Sequence, residues 1–107
     1  MPKQKLNPLP SAAFQILLSL ADEDLHGYGI MQEVQRQSEG RYRLGPGTLY
    51  DNLARLLRDG LVAETEQDAR RKYYRLTATG RRVLTAEVAR LETVVRDARA
   101  LLPARSS

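Results

Sequence analysis

The chain has 107 residues, enough for one hydrophobic core and hardly for two. Its 42% hydrophobic and 28% charged residues are an ordinary globular mixture, and the lack of cysteine excludes disulfides and thiolate metal sites. No apolar run has bilayer-spanning length, and the segment with Lys3, Lys5, Pro8 and Pro10 lacks a secretory h-region, so a cytoplasmic protein without membrane partners is expected.

The net charge of +4 is unevenly spread. Between Arg41 and Arg82 there are ten Lys/Arg against five Asp/Glu, while the rest of the chain carries seven against eight. A basic excess confined to the middle of a chain fits a nucleic-acid footprint better than a merely solvated surface.

In chain order, residues 1–10 read as a flexible basic arm interrupted by three prolines. Residues 11–77 read as one domain. Ser11 is the expected N-cap of a first helix over about Ala12 to Asp22. Only Gln15 and Ser19 interrupt its apolar surface, so it needs cover on more than one side, part of it expected from a second subunit. After the turn Asp22-Glu23-Asp24, a second helix is expected over about Tyr28 to Ser38, with Ile30, Met31 and Val34 inward and Gly40 at its end. Arg41 to Leu44 read as a short extended stretch.

Gly45-Pro46-Gly47 signals a helix start, and the third helix is expected from Pro46 to Arg58, closed by Asp59-Gly60. Leu49, Leu53, Leu56 and Leu57 fall on one face at i, i+4, i+7 and i+8. Leu61–Thr65 and Lys72–Leu76 read as the strands of a β-hairpin turning at Glu66–Arg71. The strand period sends Tyr74 and Leu76 inward and Tyr73 and Arg75 outward. Thr77 then caps a long helix through about Leu102, so residues 78–103 form a C-terminal arm. The fold class is therefore mainly α with a small β-hairpin: a winged helix-turn-helix with an added long helix.

With its leucines inward, the third helix turns Thr48, Asp51, Ala54, Arg55 and Arg58 outward, flanked by Tyr50 and Asn52. A major-groove reader needs this: an apolar stripe behind and a polar face at base edges. Arg55 suits guanine and Asn52 adenine, whereas Thr48 and Tyr50, near the helix start, suit phosphate oxygens. Asp51 repels phosphate unless it accepts from a cytosine. Taken alone, the helix reads equally well as an amphipathic surface helix; the hairpin shifts the balance. Arg70-Arg71-Lys72 at its tip, followed by Tyr73 and Arg75, can reach backbone or minor groove beside the reader.

In the last helix Leu84, Val88, Leu91, Val95, Ala98 and Leu102 are spaced 4, 3, 4, 3, 4, an a/d seam. It is too short for a self-standing coiled coil, so packing on its own domain remains an alternative. A twofold homodimer would cover this seam and the first helix together.

The sequence resembles the PadR family of regulators. The residues that carry the resemblance are His26-Gly27-Tyr28-Gly29-Ile30, then Gly47-Thr48-Leu49-Tyr50 with Leu53, Leu56 and Gly60-Leu61-Val62, then Lys72-Tyr73-Tyr74-Arg75-Leu76-Thr77 with Gly80. It implies a homodimeric winged helix repressor that binds a double-stranded DNA operator and is commonly released by a small aromatic or drug-like effector. Three features depart from the pattern. Asp51 stands where relatives often have proline, the 66–71 loop has no glycine, and tryptophan is absent, so an effector would meet Tyr, Phe14 or aliphatic side chains. The one histidine, His26, lies at a Gly-flanked helix start that suits a structural or phosphate-side role rather than catalysis, and the scattered carboxylates suggest no metal or cofactor chemistry. The rival reading is a winged helix used for protein–protein contact.

Overall fold

A computed structural model of the protein describes residues 8–68 and 70–102. The chain runs α1 (Ser11–Ser19), β1 (Leu25–His26), α2 (Gly27–Gln37), α3 (Pro46–Arg58), β2 (Val62–Asp68), β3 (Arg71–Leu76) and α4 (Ala78–Leu101). The architecture is mostly helical with one long C-terminal helix, as expected, but the sheet has three strands rather than two. β1 pairs antiparallel with β3, Leu25 opposite Tyr74 and His26 opposite Tyr73, giving the order β1-β3-β2.

α1 lies at the centre of the core. Ile16 and Leu17 are fully buried, as are Ile30 and Val34 from α2 and Leu49 from α3. Ala12, Ala13, Ser19 and Leu20 are also covered, so the chain itself supplies most of the cover expected from a partner; Phe14 stays half-buried and Leu18 exposed. The N-cap position falls on Pro10, and Ser11, expected there, is instead the first helical residue. The helix also stops short of Asp22. Leu20 and Ala21 donate to the carbonyls of Leu17 and Leu18, tightening the last turn, and the Ser19 hydroxyl donates to the Ile16 carbonyl.

α2 starts at Gly27 because His26 caps it: the imidazole Nδ1 accepts the Gly29 N–H at 3.1 Å. The Gln37 amide donates to the carbonyl and the side-chain oxygen of Gln15, tying α2 to α1. Arg41–Leu44 forms no strand. The Ser38 hydroxyl accepts the Tyr42 N–H at 3.0 Å, and Leu44 drops into the core.

α3 has the expected bounds, with Pro46 in its first turn and Leu49, Leu53 and Leu56 buried. Strand β2 continues to Asp68, past the start of the expected 66–71 turn, with an irregular register between Glu66 and Asp68; residue 69 of that turn lies outside the described residues. Tyr74 and Leu76 face inward, as the strand period requires.

Thr77 joins the wing to α4. Its hydroxyl donates to the Gly60 carbonyl and accepts the Gly80 N–H, and its own N–H reaches the Leu61 carbonyl. A β-carbon on Gly80 would collide with that same Leu61 carbonyl, so only glycine lets the helix start this close to the strand.

Of the 1–10 arm, residues 1–7 lie outside the described residues. Leu9 is not free: it packs on the core, and its N–H donates to the Glu87 carboxylate at 3.2 Å. Glu87 is itself buried and bonded to Arg90 at 2.7 Å. The guanidinium holds this carboxyl below the usual carboxylate range; burial opposes that, and the Leu9 N–H adds to it.

Candidate nucleic-acid interface

α3 presents its outer face much as its sequence requires. Thr48, Asp51, Ala54, Arg55 and Arg58 are exposed while the leucines behind them anchor the helix. Asn52 is half-buried, and its amide donates back to the Thr48 carbonyl at 2.8 Å, leaving Oδ1 and one N–H for an adenine edge. Tyr50 leans away from this face toward the start of α2. Its hydroxyl passes directly over Gly27, where a β-carbon would collide with it.

The wing stands beside this surface. Arg70, Arg71 and Lys72 are exposed at its tip, and Lys72 lies 3.8 Å from Glu64 across the ladder. Together with His26, Gly27, Tyr28, Tyr50 and Tyr74 they line a concavity of about 710 Å³ between wing, α2 and α3. Burial, with the neighbouring Tyr50 and Glu64, pushes the Tyr74 hydroxyl above its ordinary range, so it keeps its proton at neutral pH.

Two expected wing residues, both on β3, have partners within the chain. Tyr73 is half-buried and meets the His26 ring edge-on, with centroids 5.3 Å apart. Arg75 is exposed, but its guanidinium grips Asp24 through three contacts, the shortest 2.9 Å. Strand alternation puts Arg75 outward, yet β1 and the turn before it stand there, so the residue closes the sheet onto that turn.

Sequence reasoning gives His26, at a Gly-flanked helix start, a structural or phosphate-side role, and the structure shows it as a helix cap. Its imidazole touches the α2 cap, Tyr73 and, at 3.0 Å from Nε2, the Arg71 guanidinium. A histidine directly before Gly-Tyr-Gly at a helix start is the signal for that role, since N-cap positions need an acceptor.

The expected dimer seam divides in two. Leu84 is buried in the core of its own chain, whereas Val88, Val95 and Leu102 are exposed and Leu91 and Ala98 half-buried. Phe14 of α1 joins Val88, Leu91 and Val95 around an apolar groove of about 430 Å³, edged by Glu92, Arg96 and Arg99. Among the described residues, no three His, Asp or Glu side chains are grouped for a metal ion, and no helix is long and apolar enough to cross a membrane.

Residues 16–86 match the model of the Transcriptional regulator PadR-like family. The chain is 41% identical over 85 residues to transcriptional regulator Rv3488 of Mycobacterium tuberculosis, covering 77% of each protein. Its fold matches a PadR family transcription regulator from Clostridium difficile with a TM-score of 0.74 at 26% identity, covering 87% of this chain and 99% of that one. It also matches the fold of Bacillus subtilis PadR, solved in complex with operator DNA, with a TM-score of 0.65 at 24% identity over 76% of this chain and 48% of that one.

Proposed function

The chain belongs to the PadR-like family of transcriptional regulators, which are not enzymes, and from that premise we propose that it is a sequence-specific DNA-binding repressor acting as a homodimer. The observation that carries this reading is the outer face of α3. Thr48, Arg55 and Arg58 stand clear of the rest of the chain, the leucines behind them are buried, and three cations of the wing stand alongside. Arg55 would pair with a guanine edge and Asn52 with an adenine, while Thr48 and Arg58 flank them and Asp51 selects a cytosine or rejects other bases. Arg70, Arg71 and Lys72 would neutralise phosphates.

The homodimer rests on α4. Apart from Leu18 and two tyrosines, the most exposed large apolar side chains among the described residues all lie on this helix or at its C-cap, Leu102. A twofold mate seated over Val88, Leu91, Val95, Ala98 and Leu102 would cover them. A small aromatic effector would meet Phe14 and the aliphatic groove beside this seam, and a repressor of chromosomal genes would work in the cytoplasm.

An electrophoretic mobility shift on the DNA upstream of the protein's own coding sequence tests the reading. A specific shift is expected, weakening steeply with salt, with random DNA retained at low salt only. Equal and weak binding to both would overturn sequence-specific recognition and favour a protein–protein contact module.

A further inference from the structure

We infer that the α4 helices of two copies cross antiparallel, Val95 over the partner's Ala98, with Glu92 of each protomer paired to the partner's Arg99. The crossing rests on the homodimer reading above and adds its direction, its register and the charges that select the mate.

The exposed part of α4 begins where its packing on the domain ends. Leu84 and Glu87 are buried in their own chain, whereas from Val88 to Leu102 only Arg90, Leu91 and Ala98 are even half-covered. Helical spacing puts Val94 and Leu101 on one edge of the apolar seam and Glu92 and Arg99 on the other, each pair about two turns apart. Glu92 stands four residues before Arg96, a spacing that favours a pair on one helix. Among the described residues, however, Glu92, Arg96 and Arg99 have no ion-pair partner within the chain, although Glu33–Arg36 and Glu87–Arg90 do pair along their helices. The rim of the Phe14 groove thus carries both signs of charge without pairing them.

Direction follows from which edges meet. In parallel helices, the edge with Val94 and Leu101 lies against the partner's edge with Glu92 and Arg99. Glu87 would then face the partner's Glu92, and Val94 the partner's Arg99: a like-charge contact and a cation on an apolar side chain. In an antiparallel pair each edge meets its own counterpart. Val94 then lies against the partner's Leu101 and Glu92 against the partner's Arg99, and the twofold axis repeats both contacts.

The same residues fix the register. Val95 over the partner's Ala98 places Leu91 over the partner's Leu102 and produces these pairs. A slip of one heptad toward the domain would need Leu84, which is buried in its own core, and would set Glu92 against the partner's Glu92. A slip the other way sets Arg99 against the partner's Arg99. A second copy of this chain is therefore the occupant whose charges complement the groove, and a similar helix lacking them would be rejected.

Charge reversal tests direction and register together. Glu92→Arg and Arg99→Glu each place like charges at both contacts. Each should raise the dimer dissociation constant roughly 10- to 100-fold, read by light scattering over a dilution series. Mixed in equal amounts, the two variants restore opposite charges, so the heterodimer should form with near wild-type affinity. With a hexahistidine tag on one variant, native mass spectrometry should find heterodimer well above the share that random assortment gives. Glu92→Arg/Arg99→Glu in a single chain should dimerise like the wild type. Both positions are exposed, so helix content by circular dichroism should not change. Glu92→Gln and Arg99→Gln, which only neutralise, should show the same heterodimer preference at smaller size.

Random assortment of the variants overturns the charge pairing, as does a mixture that dimerises no better than either variant alone. Tighter dimerisation of Glu92→Arg by itself overturns the antiparallel crossing, since only parallel helices would bring that substitution to the partner's Glu87. A wild-type protein that stays monomeric removes the homodimer reading itself, whereas a wild-type dimer indifferent to both reversals removes the proposed crossing alone.

Discussion

The Tyr50 hydroxyl occupies the space that a β-carbon on residue 27 would need. Two helices thus approach each other through a tyrosine laid over a glycine, and the stability of the fold is tied to a residue at the binding surface. Gly27→Ala should push the half-exposed ring aside, costing at most about 1 kcal/mol because the obstructing atoms are the far end of a side chain that can turn into solvent. Tyr50→Ala in the same chain should recover much of that loss, since the obstruction is then gone. Urea unfolding of the two single variants and the double variant measures the coupling. Additive losses would show that the ring and the glycine do not compete for space.

The three arginines once grouped by position on the reader and the wing should now behave differently. Arg55 is exposed on α3, Arg71 stands at the wing tip, and Arg75 is held by Asp24. Arg55→Ala should cost roughly 1–3 kcal/mol at particular base pairs of a footprinted operator, and Arg71→Ala should weaken all sequences alike. Arg75→Ala should leave both affinities nearly unchanged and lower stability by at most about 1 kcal/mol, the range of an exposed ion pair. Anisotropy titrations of operator and random duplexes, with thermal melts, distinguish the three. A loss of affinity for Arg75→Ala equal to that for Arg71→Ala would make Arg75 a DNA contact of the wing.

These differences mark how far the sequence could be read. α3 was legible because Pro46, four leucines at helical spacing and Asp59-Gly60 all act locally and agree. β1 was not, because two residues carry no periodicity and Leu25-His26 becomes a strand only by pairing with Tyr74 and Tyr73. The a/d spacing of α4 is equally compatible with a partner and with the chain's own core. It therefore grouped buried Leu84 with exposed Val95. The period of β3 correctly put Arg75 on the outer face, but alternation states a direction and not what stands there. The structural role of His26 was legible because Gly29, which it caps, lies three residues on, whereas its contacts with Tyr73 and Arg71 were not, because they come from the distant β3.

Acid should weaken the fold through Glu87. Its folded carboxyl is held below the ordinary value of 4.5 by Arg90 first, with the Leu9 N–H assisting and burial opposing. A depressed value means that the ionised form is favoured by folding. The stabilisation is then complete above the unfolded value and is lost as pH falls below about 4.5 through the folded one. Glu87→Gln should melt earlier than the wild type at neutral pH, and the gap should narrow toward acid. Glu33→Gln supplies the comparison, because the exposed Glu33–Arg36 pair shifts in the same direction without anchoring another segment. Parallel melting curves for Glu87→Gln and wild type across the acid range would show that the Glu87 charge contributes nothing to folding.

The dimer is best tested at Val95. Leu84 is unsuitable: it is buried in its own chain, so its truncation would cost about 2–5 kcal/mol of folding stability whether or not a partner exists. Val95 is 47% exposed and lies on the groove shared with Phe14. Glutamate there costs a lone chain little, since the carboxylate can remain in water. Beneath a second copy, the same carboxylate would be stripped of water among valines and leucines, with Glu92 close by to repel it. Val95→Glu should therefore scatter light as a monomer with helix content retained by circular dichroism. Operator affinity should fall with it, because two half-sites are then no longer held by one particle. A dimer that survives Val95→Glu unchanged would move the partner surface off this face of α4 and leave the Phe14 groove open to solvent.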